Sequence, residues 1–463
     1  MKFLIVVLTS VLLSGCFNFS LEGWIHDDVD QEFTNKEFTS EQIHQDIDFL
    51  VETMRQRHPA YALYVDEPAL LQKVADIKSQ ITDGFTRQEA FTYIAQLTPF
   101  FNDGHSILFP LLAELTYAEE SGVQVFPFGV KVRNQQIFLA SAYTRMQDNF
   151  SLPSDTEITA INGVSASSIV AKLAKMSHGE TPELRESVLG LLFHYWLYAV
   201  YDVKGDISIS CNMQGESKEL LLANEDQWEP AAGELKDYSL DLLAGNVGYL
   251  RIGTFDVAND MDSYKKFVAA AFEELSQKQV QKLIIDVRGN TGGQSDAGAE
   301  VIQYLINAPV SQASYAIEKL NADTNGLFGY KGKPGEIKEL SVESDGMVKP
   351  VTADKRYQGE VVVLIDRLSY SATILFSATI LDHGIARLAG EPTGGFANQT
   401  GNLAPFYLPN SKLLMLAPGR YIIRPSGDRN NTPVIPHIEL HKNQLAKSDA
   451  WLGEALTAIS TMP

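Results

Sequence analysis

From Thr39 onward, apolar residues recur every three or four positions. Ile43, Ile47, Leu50, Val51 and Met54 fall on one face of a helix that opens at Ser40. The same spacing predicts helices over Pro68 to Ile81 and Arg87 to Leu97, and the pattern stops at Phe100-Phe101-Asn102-Asp103-Gly104-His105-Ser106, where Asp-Gly breaks it. Between about Thr116 and Leu222 the period falls to two. VFPFGVKV and QQIFLASAY alternate around an Arg133-Asn134 turn, EITAI passes an Asn-Gly turn into a helix carrying Ile169, Leu173 and Met176, and DISISCNM is a further strand. A helix from Pro182 to Tyr198 is expected inside this region, capped by Thr181 with Pro182 in the first helical position, and Glu229 to Tyr238 reads as a linker.

Beyond Asn246 the strands VGYLRI, KLIIDVRG and VVVLID alternate with helices over Met261 to Lys278 and Asp296 to Leu305, with a polar insertion at about Tyr315 to Gln358. Runs such as LIID and VVVLI are apolar almost throughout, as strands are when helices cover both faces of a largely parallel sheet. The expected class is therefore α/β. Within it, Val361 to Asn402 carries the most chemistry: the strand VVVLID, a tight turn over Arg367 to Tyr370, and a helix opening at Ser371. A serine there sits beside the unpaired N–H groups and positive dipole end of a helix, where a developing oxyanion finds donors. The same serine can equally be a helix cap.

At 463 residues the chain is long enough for two or three domains. Its 37 basic and 58 acidic residues, net −21, argue against nucleic-acid partners. Neither HExxH nor paired CxxC nor GxxxxGK[ST] occurs, so nothing points to a metal or nucleotide cofactor. Lys2, the apolar run Phe3 to Leu13, and Leu13-Ser14-Gly15-Cys16 read as a secretory signal rather than a transmembrane helix. The LSGC ending is similar to a bacterial lipobox, implying lipidation of Cys16 and a membrane anchor. Phe17 in the next position implies the outer membrane, facing the periplasm. Only Cys211 then remains, and no intramolecular disulfide can form.

Three patterns converge on one resemblance. KLIIDVRGNTGG resembles the D-x-R-x-N-x-G-G turn of the S41 family of tail-specific, C-terminal-processing serine peptidases. SYSATILFSATILDHGIARLAGEPTGG resembles its nucleophile helix and G-E-x-T turn, and ITAINGVSASSI resembles part of the PDZ-like module common in the family. The resemblance implies a ClpP/crotonase-like catalytic core and divides the chain into a signal peptide (1–15), a tether (16–38), an N-terminal helical segment ending in the DGHS loop (39–111), a PDZ-like domain (112–230) and the catalytic core (231–463). Phe126-Pro127-Phe128-Gly129 stands where a carboxylate-binding loop of that module is expected, without the usual G-L-G-F.

The resemblance further implies Ser371 as nucleophile, with Ser369 as rival, and an oxyanion hole from the backbone of Ala372 and the pair Gly292-Gly293. Many family members place a lysine base just after the T-G-G turn; here that position is Phe396, which cannot accept a proton. His105 in NDGHS is similar to the D-G-H-[ST] of a branch with Ser–His chemistry, as in the tricorn core peptidase, and a histidine can take and return the proton. His58, His194, His383 and His437 are its rivals as base. For the group orienting the imidazole, Asp428 is nearest to the expected glutamate, with Asn430, Asn431, Asp103 and Ser106 as alternatives. The implied substrate is extended or loosely folded polypeptide. The competing reading is an inactive protein on the same scaffold that holds peptides or apolar ligands; an esterase or thioester hydrolase is a third.

Overall fold

The computed structural model of the chain describes residues 29–213, 215–230, 237–321, 331–341, 347–440 and 450–460. The signal segment and Cys16 lie outside the described residues. No described helix is long and apolar enough to cross a membrane.

The first helical region forms as its spacing dictates. Helix Ser40–Arg57 is closed by a capping box between Thr39 and Gln42 and buries Ile43, Ile47, Leu50, Val51 and Met54. Helices Glu67–Lys78 and Arg87–Ile94 follow, and the latter tightens into a 3₁₀ turn, Ala95–Phe101, that contains Pro99. Asn102 ends it in the left-handed region, φ 48°, and so turns the chain toward Asp103 and His105.

The middle region is an antiparallel sheet ordered Glu216–Leu222, Ile207–Met213, Glu157–Ile161, Gln136–Leu139, Val130–Arg133. The expected single helix from Pro182 is broken into Pro182–Ser187, a 3₁₀ turn Val188–Leu192, and Phe193–Tyr201. Thr181 does cap it, accepting from the Leu184 N–H. The break lies where the chain presses on the Val130–Arg133 edge: a Cβ on Gly190 would stand 2.7 Å from the Val130 carbonyl oxygen. Phe126 and Phe128 are core residues, and the Gly129 N–H is taken by the Tyr143 hydroxyl at 2.8 Å, so this loop offers no carboxylate site of the usual kind. The start of the expected linker is also structured, since Trp228–Pro230 pairs with Tyr143–Arg145.

The last region is mixed α/β. Its six-stranded sheet runs Tyr238–Leu243, Val247–Ile252, Lys282–Asp286, Glu360–Ile365, Arg387–Gly390, Ile438–Glu439, parallel after the first pair. Leu283, Ile285, Val363 and Ile365 point to helices Met261–Gln277, Ser295–Ile302 and Ala372–Asp382. Ile284, Val362 and Leu364 point to the opposite face, under Trp451, Ala455 and Ile459. Two-sided burial is why these strands lack alternation. The polar insertion supplies Tyr315–Lys319 and Ile337–Ser341 to a second sheet with Gln399–Tyr407 and Leu414–Ile423. Ile107–Leu108 joins that sheet against Met415 and Leu416. This pairing stitches the end of the N-terminal segment to the C-terminal region and carries His105 with it.

Candidate active site

Ser371 stands between the Glu360–Ile365 strand and the Ala372–Asp382 helix with φ 54° and ψ −121°, a conformation that costs a non-glycine residue about 1–3 kcal/mol. Its side chain makes no capping bond, so the hydroxyl is not consumed by the helix. The turn is held from several sides. Asn290 accepts from the Tyr370 N–H through its carbonyl at 3.0 Å, and Gln399 Nε2 donates to the Ser371 carbonyl at 2.8 Å. Glu391 of the G-E-x-T turn accepts from Arg367 Nε at 3.1 Å and Nη2 at 3.0 Å. Asp286 fixes the neighbouring turn by accepting from the Arg288 N–H, Nε and Nη2.

The other serines are committed elsewhere. Ser369 Oγ is buried, accepting from the Asp366 N–H at 3.0 Å and donating to the Val287 carbonyl at 2.9 Å. Ser377 Oγ bonds back to the Thr373 carbonyl inside the helix.

His105 Nε2 lies 3.0 Å from Ser371 Oγ. The network behind the imidazole decides its tautomer. Asp103 is wholly buried, and burial alone would raise its pKa; the hydrogen bond and electrostatic pull of His58, with the pull and backbone N–H of His105, outweigh that and lower it. An ionised carboxylate only accepts, and Asp103 accepts from the His105 N–H, Thr400 Oγ1, His58 Nε2 and Ser106 Oγ. The Thr400 hydrogen is thereby used on Asp103 at 2.8 Å, so its oxygen, 3.0 Å from His105 Nδ1, must accept from that nitrogen. Tyr370 presents a second acceptor to Nδ1 at 3.3 Å, its own hydrogen going to Glu180 Oε1 at 2.8 Å. Nδ1 therefore carries the proton, and Nε2 turns its lone pair to the serine. His58 is fixed likewise: its Nδ1 accepts from the Ala60 N–H, leaving Nε2–H for Asp103.

Burial pushes the His105 pKa down, against the pull of Asp103, so the ring is neutral near pH 7. Burial and the Asp103 charge push Glu180 up to about 8, so its carboxyl is largely protonated there.

Asp428 is not part of this group. It is exposed on its own turn, where Oδ1 accepts from Asn430 N and Nδ2. A Gly-Asp turn satisfies its own backbone, and that local bonding keeps the carboxylate at the surface. Asn431 accepts from the Tyr421 hydroxyl instead. Among the other histidines, His383 bonds the Ser311 carbonyl and His437 accepts from the Leu388 N–H. Phe396 packs its ring against Tyr64, 6.1 Å between centroids. Thr400, Tyr370 and Glu180 carried no local signal in the sequence; Asp103 and Ser106 were visible through their place beside His105.

Gly292 and Ala372 meet at the serine as expected, but the glycine pair divides its tasks. The Gly292 N–H donates to Asn290 Oδ1 at 2.9 Å and is not available to an oxyanion. Phe255 pairs with the Gly292 carbonyl and the Gln294 N–H, and that leaves the Gly293 N–H outside the pairing. Gly292 serves by its lack of a side chain: a Cβ there, at φ 107°, would lie 2.6 Å from the Ser371 Cβ. Gly292→Ala is expected to slow acylation of Ser371 by about a hundredfold, since displacing a reacting atom by an ångström costs that much. The rate of labelling by an active-site phosphonate, beside a circular-dichroism check of folding, reads this; an unchanged rate contradicts it.

Against known proteins, residues 246–440 match the model of peptidase family S41. The carboxy-terminal processing protease CtpB of Bacillus subtilis (strain 168) is 26% identical over 150 residues, spanning 32% of this chain and 25% of that protein's length. Among solved structures, mature CPAF superposes with a TM-score of 0.61 at 15% identity, covering 87% of this chain and 93% of that one. Its complex with lactacystin gives 0.61 at 14%, covering 87% and 94%. At such identities the structures establish a shared fold.

Proposed function

Because residues 246–440 match peptidase family S41, we propose that this protein is a serine endopeptidase using a Ser–His pair in place of the Ser–Lys pair. The observation that carries this reading is the 3.0 Å approach of an unprotonated His105 Nε2 to Ser371 Oγ. Ser371 Oγ attacks the scissile carbonyl carbon as its proton passes to Nε2. The tetrahedral oxygen takes bonds from the N–H groups of Ala372 and Gly293. Collapse breaks the C–N bond, and Nε2 returns the proton to the leaving amine. Water, deprotonated by the same nitrogen, then hydrolyses the acyl-enzyme. Thr400 and Asp103 replace the directly bonded carboxylate of a conventional triad: Asp103 Oδ1 is 3.9 Å from Nδ1, and the threonine oxygen bridges the gap.

The test is labelling of the protein lacking residues 1–16 with a fluorophosphonate. Label is expected on the unmutated protein and on Ser369→Ala, and none on Ser371→Ala. Folded, unmutated protein that takes no label would overturn the reading and leave a peptide- or apolar-ligand-binding scaffold in its place. We also read residues 112–230 as a PDZ-like domain and Cys16 as a lipid anchor to the bacterial outer membrane, on the LSGC pattern. In bacteria fed an alkyne fatty acid, the full chain is expected to become labelled and Cys16→Ala not; equal labelling of both sinks the anchor.

A further inference from the structure

A cavity of about 370 Å³ opens beside Ser371, within the range of small-molecule and side-chain pockets. Its walls are mainly apolar: Phe109, Leu184, Val188, Leu192, Trp196 and Leu403 contribute. All but Leu403 of these lie outside residues 246–440, so relatives matched over that segment do not reveal what the cavity selects. The loop 177–181 and the broken helix after it are brought here by specific bonds. Thr181 Oγ1 donates to the Gly394 carbonyl at 2.8 Å, and Arg133 grips Glu391 through two bonds of 2.8 Å. Among the described residues no lysine or arginine lines the cavity and Asp256 does, so a carboxylate, whether from an acidic side chain or a chain terminus, meets no counter-charge and one like charge.

Three wall residues are neither apolar nor used by the chemistry: Asp256 and Thr291, both exposed, and His178, which is half-buried. His178 lines the cavity, and no described group hydrogen-bonds it. Burial holds its pKa down to about 4, so near pH 7 the ring is neutral and can both donate and accept.

We propose that this cavity receives a large uncharged side chain next to the scissile bond, and that His178 reads a hydroxyl at its tip, so tyrosine is accepted alongside phenylalanine and leucine. This rests on the serine-peptidase reading above. The cavity adjoins the serine on one side and the Ile107–Leu108 strand on the other, so a peptide whose carbonyl sits at Ser371 has a neighbouring side chain directed into it. Leu191, 51% exposed at the cavity's rim, offers a place to change the charge without disturbing the core.

The experiment is cleavage of a mixed peptide library by the protein lacking residues 1–16, read by mass spectrometry, with fluorophosphonate labelling of the same preparation. Large uncharged residues are expected within two positions of most cuts. In Leu191→Arg, cleavage near acidic residues relative to leucine should rise about tenfold; in His178→Leu, cleavage at tyrosine relative to phenylalanine should fall about tenfold. Both readouts are ratios within one variant and do not depend on its total activity. Labelled, active protein that cuts without regard to charge or size, or variants whose ratios do not move, would overturn the pocket assignment while leaving the Ser–His chemistry standing. Protein that takes no label and cuts no peptide overturns both.

Discussion

His105→Ala is expected to lower kcat by roughly four to six orders of magnitude, and adding Ser371→Ala should cost nothing further. The two act as a unit: without Nε2 the serine keeps its proton, and without the serine the base has nothing to activate. The 3.0 Å contact makes the coupling direct. The same pair sets the pH dependence. The base must be neutral, so kcat/KM falls as pH drops through the His105 pKa. Burial lowers that pKa, so the acid limb should lie below about pH 6.5, the ordinary imidazole value. Peptide hydrolysis followed from pH 4 to 9 checks both statements. A single His105→Ala variant within a hundredfold of the unmutated rate would remove this residue from the mechanism.

Asp103→Asn is expected to lower kcat by about 10³- to 10⁴-fold with little change in KM. Four donors converge on the carboxylate, and an amide has one oxygen to offer them. Its NH₂ would face Thr400 or His58, and a Thr400 hydroxyl turned toward His105 would favour the tautomer with hydrogen on Nε2, which cannot accept from Ser371. Thr400→Val leaves Asp103 ionised and Tyr370 still 3.3 Å from Nδ1, so about tenfold is expected, the worth of one hydrogen bond. A pH profile separates this from mere structural damage. The Asp103 charge raises the His105 pKa, so its removal should shift the acid limb to lower pH. If the limb stays in place in folded Asp103→Asn, the carboxylate is not coupled to the base.

The parts of the site legible in the sequence are those made by neighbours along the chain. Ser371 follows the strand Glu360–Ile365, apolar from Val361 on, and opens a helix, and the backbone at that junction is placed by the strand-to-helix turn itself. Asp286 and Arg288 hold each other across two residues. His105 sits two residues after Asp103, whose oxygen caps its N–H, so the loop's shape is local. Asp428 was misleading for the same reason: its motif is a real turn, but the bonds that complete the turn satisfy the carboxylate where it stands. The cap at Thr181 and the proline after it are local and start the helix where the sequence expects it, whereas its break comes from the Val130 carbonyl pressed against Gly190.

Apolar periodicity determines by itself that the chain is α/β, because it acts within one or two turns of backbone, whereas Ser371 stands out as nucleophile candidate through the family resemblance of its strand-to-helix turn and of the glycine pair. The partner of that serine is 266 residues away, its orienting threonine 295 residues from His105, and Glu180 190 residues from Tyr370. Such contacts leave no period and no spacing. They exist only because Ile107–Leu108 pairs with Met415 and Leu416 and the middle region is pinned at Glu391, so the contact of base with serine, the relay through Thr400 and the cavity walls were decided by tertiary packing alone.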